Sequence, residues 1–299
     1  MKQGIKMKPV VSIIILTKDN ESTIGNCLAG IFSQQYTSFE VLVIDSRSKD
    51  STHDIVQSYG CRFITYPFGE FSHGKARNFG VAKAKGSFIV FISPDAVPAS
   101  TTWLSALLNA LKTSDAVYGR HLPAKNATPL QRIALSRNYG RTPLKKKCQA
   151  GIMNSFFSNA NSAFRKEILE AHPFFQDILI CEDIEISKRL LLQGYVIFYE
   201  PLAMVFHSHN FSLKHVFQRY FDIGRAYRTI WFDQPRMGTL GKEGVHYLSY
   251  EWSALLKKDQ LTWIPYAFFY NCSKLFGYLM GRYIMFLPRE LVKKISLYS

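Results

Sequence analysis

The chain has 299 residues, 47% of them hydrophobic and 20% charged, with a formal net charge of +15. That length holds one large domain or two modest ones with ample core, and the composition excludes a disordered chain. The positive balance suits a polyanionic partner or surface (nucleic acid, anionic lipid or a phosphorylated substrate), while five scattered cysteines with no CxxC pair argue against a disulfide framework or a zinc site.

The basic N-terminus, Met1–Lys8, leads into a short apolar run, Val10–Leu16, and lacks the longer apolar core and small-residue cleavage site of a signal peptide. No window reaches the roughly 18 charge-free apolar residues that a spanning helix needs. With the cysteine usage, this predicts a cytoplasmic chain. Val10–Leu16 reads as a strand that stops at Thr17-Lys18-Asp19-Asn20-Glu21, polar residues able to cap a helix from about Ser22 to Gln34. Within that helix Ile24, Cys27, Leu28, Ile31 and Phe32 recur at helical spacing. Phe39–Ile44 is a second strand, ending on Asp45-Ser46-Arg47-Ser48-Lys49-Asp50-Ser51; a helix over Thr52–Tyr59 and a short strand over Arg62–Tyr66 follow. Strand and helix alternating at this pace imply a parallel sheet wound with right-handed crossovers.

Next comes Phe71-Ser72-His73-Gly74-Lys75-Ala76-Arg77-Asn78-Phe79-Gly80, opening a helical turn. Lys75 and Arg77 at a helix start can hold phosphate oxygens, or simply form a solvated basic turn. Neither a Walker phosphate loop nor a GxGxxG turn follows any predicted strand, so a bound nucleotide uses neither cradle. Phe88–Ile92 is apolar at every position, as in a strand buried on both faces, and runs into Ser93-Pro94-Asp95-Ala96-Val97-Pro98. An Asp in such a turn is often only a turn-former. Here it arrives third at the sheet edge that already carries Thr17–Glu21 and Asp45–Asp50, where open α/β sheets bind ligands.

The combination of Thr-Lys-Asp-Asn-Glu, Asp-Ser-Arg-Ser-Lys-Asp-Ser-Thr, Gly-Lys-Ala-Arg-Asn-Phe-Gly and a strand ending on Asp95 resembles family 2 glycosyltransferases. The wording of His73–Asn78 and Ser93–Pro98 is most similar to the rhamnosyltransferase branch, whose usual donor is dTDP-L-rhamnose. The resemblance covers roughly residues 10–228. It implies the GT-A fold: an α/β, Rossmann-like, mainly parallel central sheet flanked by helices, here with a C-terminal helical extension. It further implies that Thr17 and Asp45 contact the nucleotide base, with Asn20, Glu21 and Ser46 nearby. Lys75, Arg77, Asn78, Ser93, Pro94 and Asp95 would line the donor, Arg77 facing its diphosphate. Asp95 matches the last carboxylate of the family's Asp-x-Asp metal motif, so the resemblance implies a Mg²⁺ or Mn²⁺ ion. The chain departs from that motif at Ser93, which stands where the first Asp is found.

In the second half, Ser158–Arg165 reads as a small-residue strand or turn before a helix over Lys166–Ala171. By resemblance this region, with Asn161, lies beside the acceptor. Cys181-Glu182-Asp183-Ile184-Glu185 opens another helix, where acidic residues are favoured by the helix dipole alone. The similar pair in the family makes Asp183 the general base that a weakly nucleophilic sugar hydroxyl requires, with Glu182 holding the acceptor or the helix start. Val196–Tyr199 is a strand, followed by His207 and His209, which are not expected to bind one ion together. By resemblance His207 completes the metal shell or touches the diphosphate.

The last quarter differs in character. In Leu213–Trp231 an apolar stripe (Val216, Phe217, Tyr220, Phe221, Tyr227, Ile230, Trp231) is edged by Lys214, Arg219, Arg225 and Arg228. Such a helix suits an anionic membrane interface, or a helix packed on the protein with its charges outward. Trp263–Leu287 is aromatic-rich and interrupted by Lys274 and Arg282, so it would lie on a bilayer rather than span it. Gly277 and Gly281 are spaced for close helix contact, a hint of a homodimer. Leu144-Lys145-Lys146-Lys147, with Arg137 and Arg141, reads as a mobile basic loop over the site.

These readings divide the chain into a nucleotide-sugar half (1–100), an acceptor half (101–211) and an amphipathic helical region (212–299). They predict an inverting transferase moving L-rhamnose to a lipid-linked or oligosaccharide acceptor in surface polysaccharide synthesis, peripheral on the cytoplasmic face of the inner membrane. The alternatives are a degenerate GT-A protein that only binds glycan or membrane, and a family 2 enzyme using another nucleotide sugar. Nucleic acid is not an expected partner, because no recognised nucleic-acid module accompanies the charge.

Overall fold

The computed structural model describes residues 9–69, 71–147, 155–231, 237–257, 260–286 and 288–298; the basic stretch at 1–8 lies outside them. In chain order the first elements are β1 (Val11–Thr17), α1 (Ile24–Phe32), β2 (Phe39–Asp45), α2 (Thr52–Ser58), β3 (Arg62–Thr65), α3 (His73–Lys83) and β4 (Phe88–Ile92). Then follow β5 (Val97–Pro98), α4 (Trp103–Ala110), β6 (Ala116–Leu122), α5 (Pro129–Asn138), β7 (Leu144–Lys146), β8 (Asn161–Arg165) and α6 (Lys166–Ala171). The rest are α7 (Glu182–Leu192), β9 (Ile197–Phe206), α8 (Leu213–Ile230), α9 (Met237–Lys257), α10 (Ile264–Arg282) and α11 (Arg289–Ile295).

These elements form two compact units, one of residues 1–122, 139–177 and 182–207, the other of 123–138, 178–181 and 208–299. The first is built on a sheet of order β3-β2-β1-β4-β8-β6-β9-β5, with β7 also on β9. Strands β3, β2, β1 and β4 are mutually parallel, as the alternating strands and helices dictate. From β4 onward the pattern mixes: β8 runs antiparallel to both β4 and β6, and β6 parallel to β9. The all-apolar strands are covered on both faces, and their side chains join Trp103, Leu104 and Leu107 of α4 in one core. Thr17–Glu21 do not cap α1, whose N-cap is Thr23 and carries no side-chain cap; their polar groups bond instead to one another and to the loop after β2.

Two expectations change here. Leu144–Lys146 is no mobile loop but an edge strand on β9. Lys146 is buried, its Nζ donating to the Phe156 carbonyl at 2.7 Å and lying 4.8 Å from the Tyr118 ring centre. Burial lowers its ammonium to about 8. Arg137 belongs to the second unit, over the rings of Tyr247 and Tyr250.

In the second unit α8 packs on α10 through glycines. A Cβ at Gly277 would strike the Phe217 carbonyl, and one at Gly281 that of Phe221; Gly224 of α8 meets the Tyr278 carbonyl in the same way. The close approach that Gly277 and Gly281 were expected to offer a second copy is thus made within the chain. The same packing decides between the two readings of α8: Val216, Phe221, Ala226 and Ile230 are buried. Among the described residues no helix is long and apolar enough to cross a membrane.

Candidate active site

Parallel register sets the rim. Thr17 pairs with Asp45 at the carboxyl ends of β1 and β2, and Ile14 with Phe91 of β4, so all three loops leave the same edge. The first two loops interlock. The Ser48 hydroxyl accepts from the Asp19 amide and donates to Asp45, while the Lys49 amide donates to Asp19. The Glu21 amide donates to Asp50, and Glu21 in turn accepts from the Ser51 amide at 2.9 Å. Left-handed backbone at Asp19 (φ 53°) and Arg47 (φ 64°) makes both turns tight. Thr17 and Asp45 are nearly buried at its base; Thr17 bonds Asn20, and its carbonyl accepts from the Ser46 amide.

Asp95 reaches His207 because β5 pairs antiparallel with β9, Val97 opposite Phe206. Residues just before β5 then lie beside those just after β9, and Asp95 Oδ1 stands 3.3 Å from His207 Nε2. Two adjacent ligands of a six-coordinate Mg²⁺ or Mn²⁺, each about 2.1 Å from the ion, are about 3 Å apart. The spacing of the pair therefore fits such an ion. Ser93 offers no carboxylate; its amide donates to the Ala160 carbonyl at 3.2 Å, and its own carbonyl accepts from Ala96. Pro94 sits half-exposed in the turn.

The Ser93–Ala160 bond ties the rim to the acidic pair. One residue before Ala160, the Asn159 amide donates to Asp183 Oδ2 at 3.4 Å. Following these bonds along the backbone puts the Asp183 carboxylate within roughly 23 Å of the Asp95 Cα even for a fully extended path. Glu182 and Asp183 open α7, but their environments differ. Glu182 is buried against Arg77, Nε to Oε1 3.0 Å, and accepts from the Asn159 side chain. Burial pushes its carboxyl up; the charges of Arg77 and His73 outweigh this and hold it below the usual range. Asp183 has no such ion pair among the described residues: burial and then the Glu182 charge raise it from 3.8 to about 7, against the opposing pull of Arg77. Neighbouring carboxyls driven apart in this way have the division that a proton acceptor and a fixed partner require.

Other expected site residues have different work. Arg77 does not face a diphosphate; it is buried in the Glu182 pair with its guanidinium 5.0 Å from the Phe91 ring centre. Asn78 clasps the backbone of Phe174 through both ends of its amide, at 2.9 Å each. Asn161, expected at the acceptor, is fully buried: it accepts from the Trp103 indole and donates to the Ala203 carbonyl, both at 2.8 Å. Glu182 holds Arg77 rather than an acceptor. Lys75 is half-buried in the first turn of α3, its amide held by Ser72.

Residues 12–172 match the sequence model of Glycosyl transferase family 2. The chain belongs to that family. This family 2 transferase is 35% identical over 268 residues to the O-antigen chain rhamnosyltransferase WbaN of Salmonella anatum, covering 87% of this chain and 85% of that one. It is 31% identical over 298 residues to the O-antigen chain rhamnosyltransferase RfbN of Salmonella typhimurium, covering 97% and 95%. Its fold is GT-A. Among solved structures, mannosyltransferase PcManGT from Pyrobaculum calidifontis, in complex with GDP-Man and Mn²⁺, superposes with a TM-score of 0.62 at 18% identity over 93% of this chain and 87% of that one. S. aureus TarS 1–349 in complex with UDP-GlcNAc gives 0.59 at 16% identity over 96% and 84%.

Three site residues of this glycosyltransferase carry no sequence signal. Asn159 holds both Glu182 and Asp183. His121 bonds His207 and stacks on Tyr139, the rings 4.3 Å apart and 6° from parallel. Such groups are recognisable only by contact, since 86 residues separate the two histidines.

Proposed function

We propose that this transferase moves L-rhamnose from dTDP-L-rhamnose to a hydroxyl of a lipid-linked or oligosaccharide acceptor, with inversion, in surface polysaccharide synthesis. The observation that supports the mechanism is a carboxyl raised to about 7, Asp183, which accepts from the Asn159 amide one residue before the Ala160 carbonyl that Ser93 bonds beside Asp95. Asp183 accepts the acceptor's O–H proton as the oxygen bonds to the anomeric carbon. The bond from that carbon to the diphosphate breaks on the opposite face, and its electron pair leaves on the phosphate oxygen. Asp95 and His207 would hold a Mg²⁺ or Mn²⁺ ion, which when bound supplies positive charge for the departing diphosphate. Thr17, Asn20, Glu21, Asp45 and Ser46 form the wall for the nucleotide, and Lys75 is the remaining candidate for a phosphate contact. The donor assignment is supported by the two rhamnosyltransferase relatives, which align over most of this chain.

The second unit supports action at a membrane surface. On α10 the exposed side chains Phe268, Phe269, Leu275 and Phe276 form an apolar stripe at helical spacing, continued by Met285 and Phe286. Arg289, Lys293 and Lys294 of α11 are exposed as well. Apolar side chains with exposed cations suit the interface of an anionic bilayer, the cytoplasmic leaflet carrying the lipid-linked acceptor.

Release of nucleoside diphosphate across a panel of nucleotide sugars tests the donor; dTDP-L-rhamnose should turn over fastest, and preference for another donor would replace it. Asp183→Ala should abolish transfer and keep donor affinity, whereas retained turnover would remove the base. Asp95→Ala should lose metal-dependent donor binding in calorimetry, and unchanged affinity would remove the ion. A chain that binds anionic vesicles and glycan but releases no diphosphate from any donor would instead be a binding module.

A further inference from the structure

We infer that His121 is a positioning residue for the cation site: it accepts the Nδ1–H of His207 and so leaves the His207 Nε2 lone pair directed at Asp95. This rests on the proposed ion at Asp95 and His207. The two imidazoles meet Nδ1 to Nδ1 at 3.1 Å, the rings inclined by 71°. A contact of that length between two ring nitrogens holds one proton, because two N–H groups would point at each other and two lone pairs would repel. When that proton belongs to His207, its Nε2 is bare and faces Asp95 Oδ1 at 3.3 Å, the arrangement a ligand pair needs. A histidine that ligates through one nitrogen commonly donates from the other, and the acceptor fixes both tautomer and ring orientation.

The surroundings hold His121 in place for this. It is 4% exposed and lies flat on Tyr139, itself buried with its hydroxyl bonded to Ser158. The Asn159 amide next along the chain carries Asp183. One packed wall therefore runs from the base to the cation ligand, and a shift of the His121 ring would reach both ends.

The test is Mn²⁺ affinity in the presence of nucleoside diphosphate without acceptor, read from the electron paramagnetic resonance of free Mn²⁺. His121→Phe keeps the stack on Tyr139 but accepts nothing, and should weaken Mn²⁺ binding about tenfold to a hundredfold. His121→Asn places an amide oxygen near the lost nitrogen and should restore most of it. Full Mn²⁺ affinity in His121→Phe, with affinity lost in His207→Ala, would overturn the inference and spare the ion site. If His207→Ala also binds Mn²⁺ normally, the ion assignment itself falls and takes this inference with it. Should His121→Phe fail to fold, long-range ¹H–¹⁵N spectra of the histidine-labelled wild-type protein with Mg²⁺ decide. They should show His207, identified by its absence in His207→Ala, protonated at Nδ1; protonation at Nε2 would refute it.

Discussion

Asp183→Asn separates a catalytic carboxylate from a helix-capping one, because the two make opposite demands on stability. Burial and the adjacent Glu182 charge put the Asp183 carboxyl at about 7 instead of 3.8. Below the unfolded value both states are protonated and the group is silent. Between about 4 and 7 the unfolded chain ionises while the folded one does not, so stability falls as pH rises, and above about 7 the deficit is constant. Its upper bound is about 4 kcal/mol, at 1.36 kcal/mol per pH unit; screening by water at the exposed part of the side chain brings this to about 1–3 kcal/mol. The Asn variant carries no charge to disfavour. Its melting temperature should match the wild type near pH 4 and exceed it by roughly 2–10 °C at pH 8. Its transfer rate should fall at least a hundredfold to ten-thousandfold. Wild-type kcat/KM should climb with pH and level off above about 7, where the base is free. Melting curves that stay parallel across pH 4–8, or an Asn variant within tenfold of wild-type activity, would refute the reasoning.

Arg77→Met leaves the Glu182 carboxylate buried without its cation and should cost about 3–5 kcal/mol of stability; adding Glu182→Gln should recover part of it in denaturant melts. Asn161→Ala strips partners from the Trp103 indole and the Ala203 carbonyl. It should therefore lower stability by about 1–3 kcal/mol for each group left unsatisfied without a selective rise in acceptor KM. Gly281→Val drives a side chain into the Phe221 carbonyl and should cost about 1–3 kcal/mol, whereas Gly244→Ala, with nothing near it inside α9, should stabilise by up to about 1 kcal/mol in the same melts. Replacing Phe268, Phe269 and Phe276 by Ser should release the protein from anionic vesicles in flotation assays, with soluble donor hydrolysis retained.

The succession of strands and helices in the first unit was legible because it is local. Val11–Thr17, Phe39–Asp45 and Phe88–Ile92 are apolar runs, and a parallel sheet obliges their polar endings to meet at one edge. Asp45, Asp95 and Asp183 stood out for the same reason: a carboxylate at a strand or helix end is visible in a few residues. What the side chains do there was not visible. Arg77 and Glu182 are 105 residues apart, and Asn161 lies 58 from Trp103. No spacing rule distinguishes a polar group that closes a buried bond from one that waits for substrate. Likewise Gly277 and Gly281 show a surface that backbone can approach closely, but only the tertiary structure shows that α8 of the same chain occupies it. Periodicity reports which residues turn inward; their partners are chosen by pairings such as β5 with β9, whose two-residue strand leaves almost no trace in sequence.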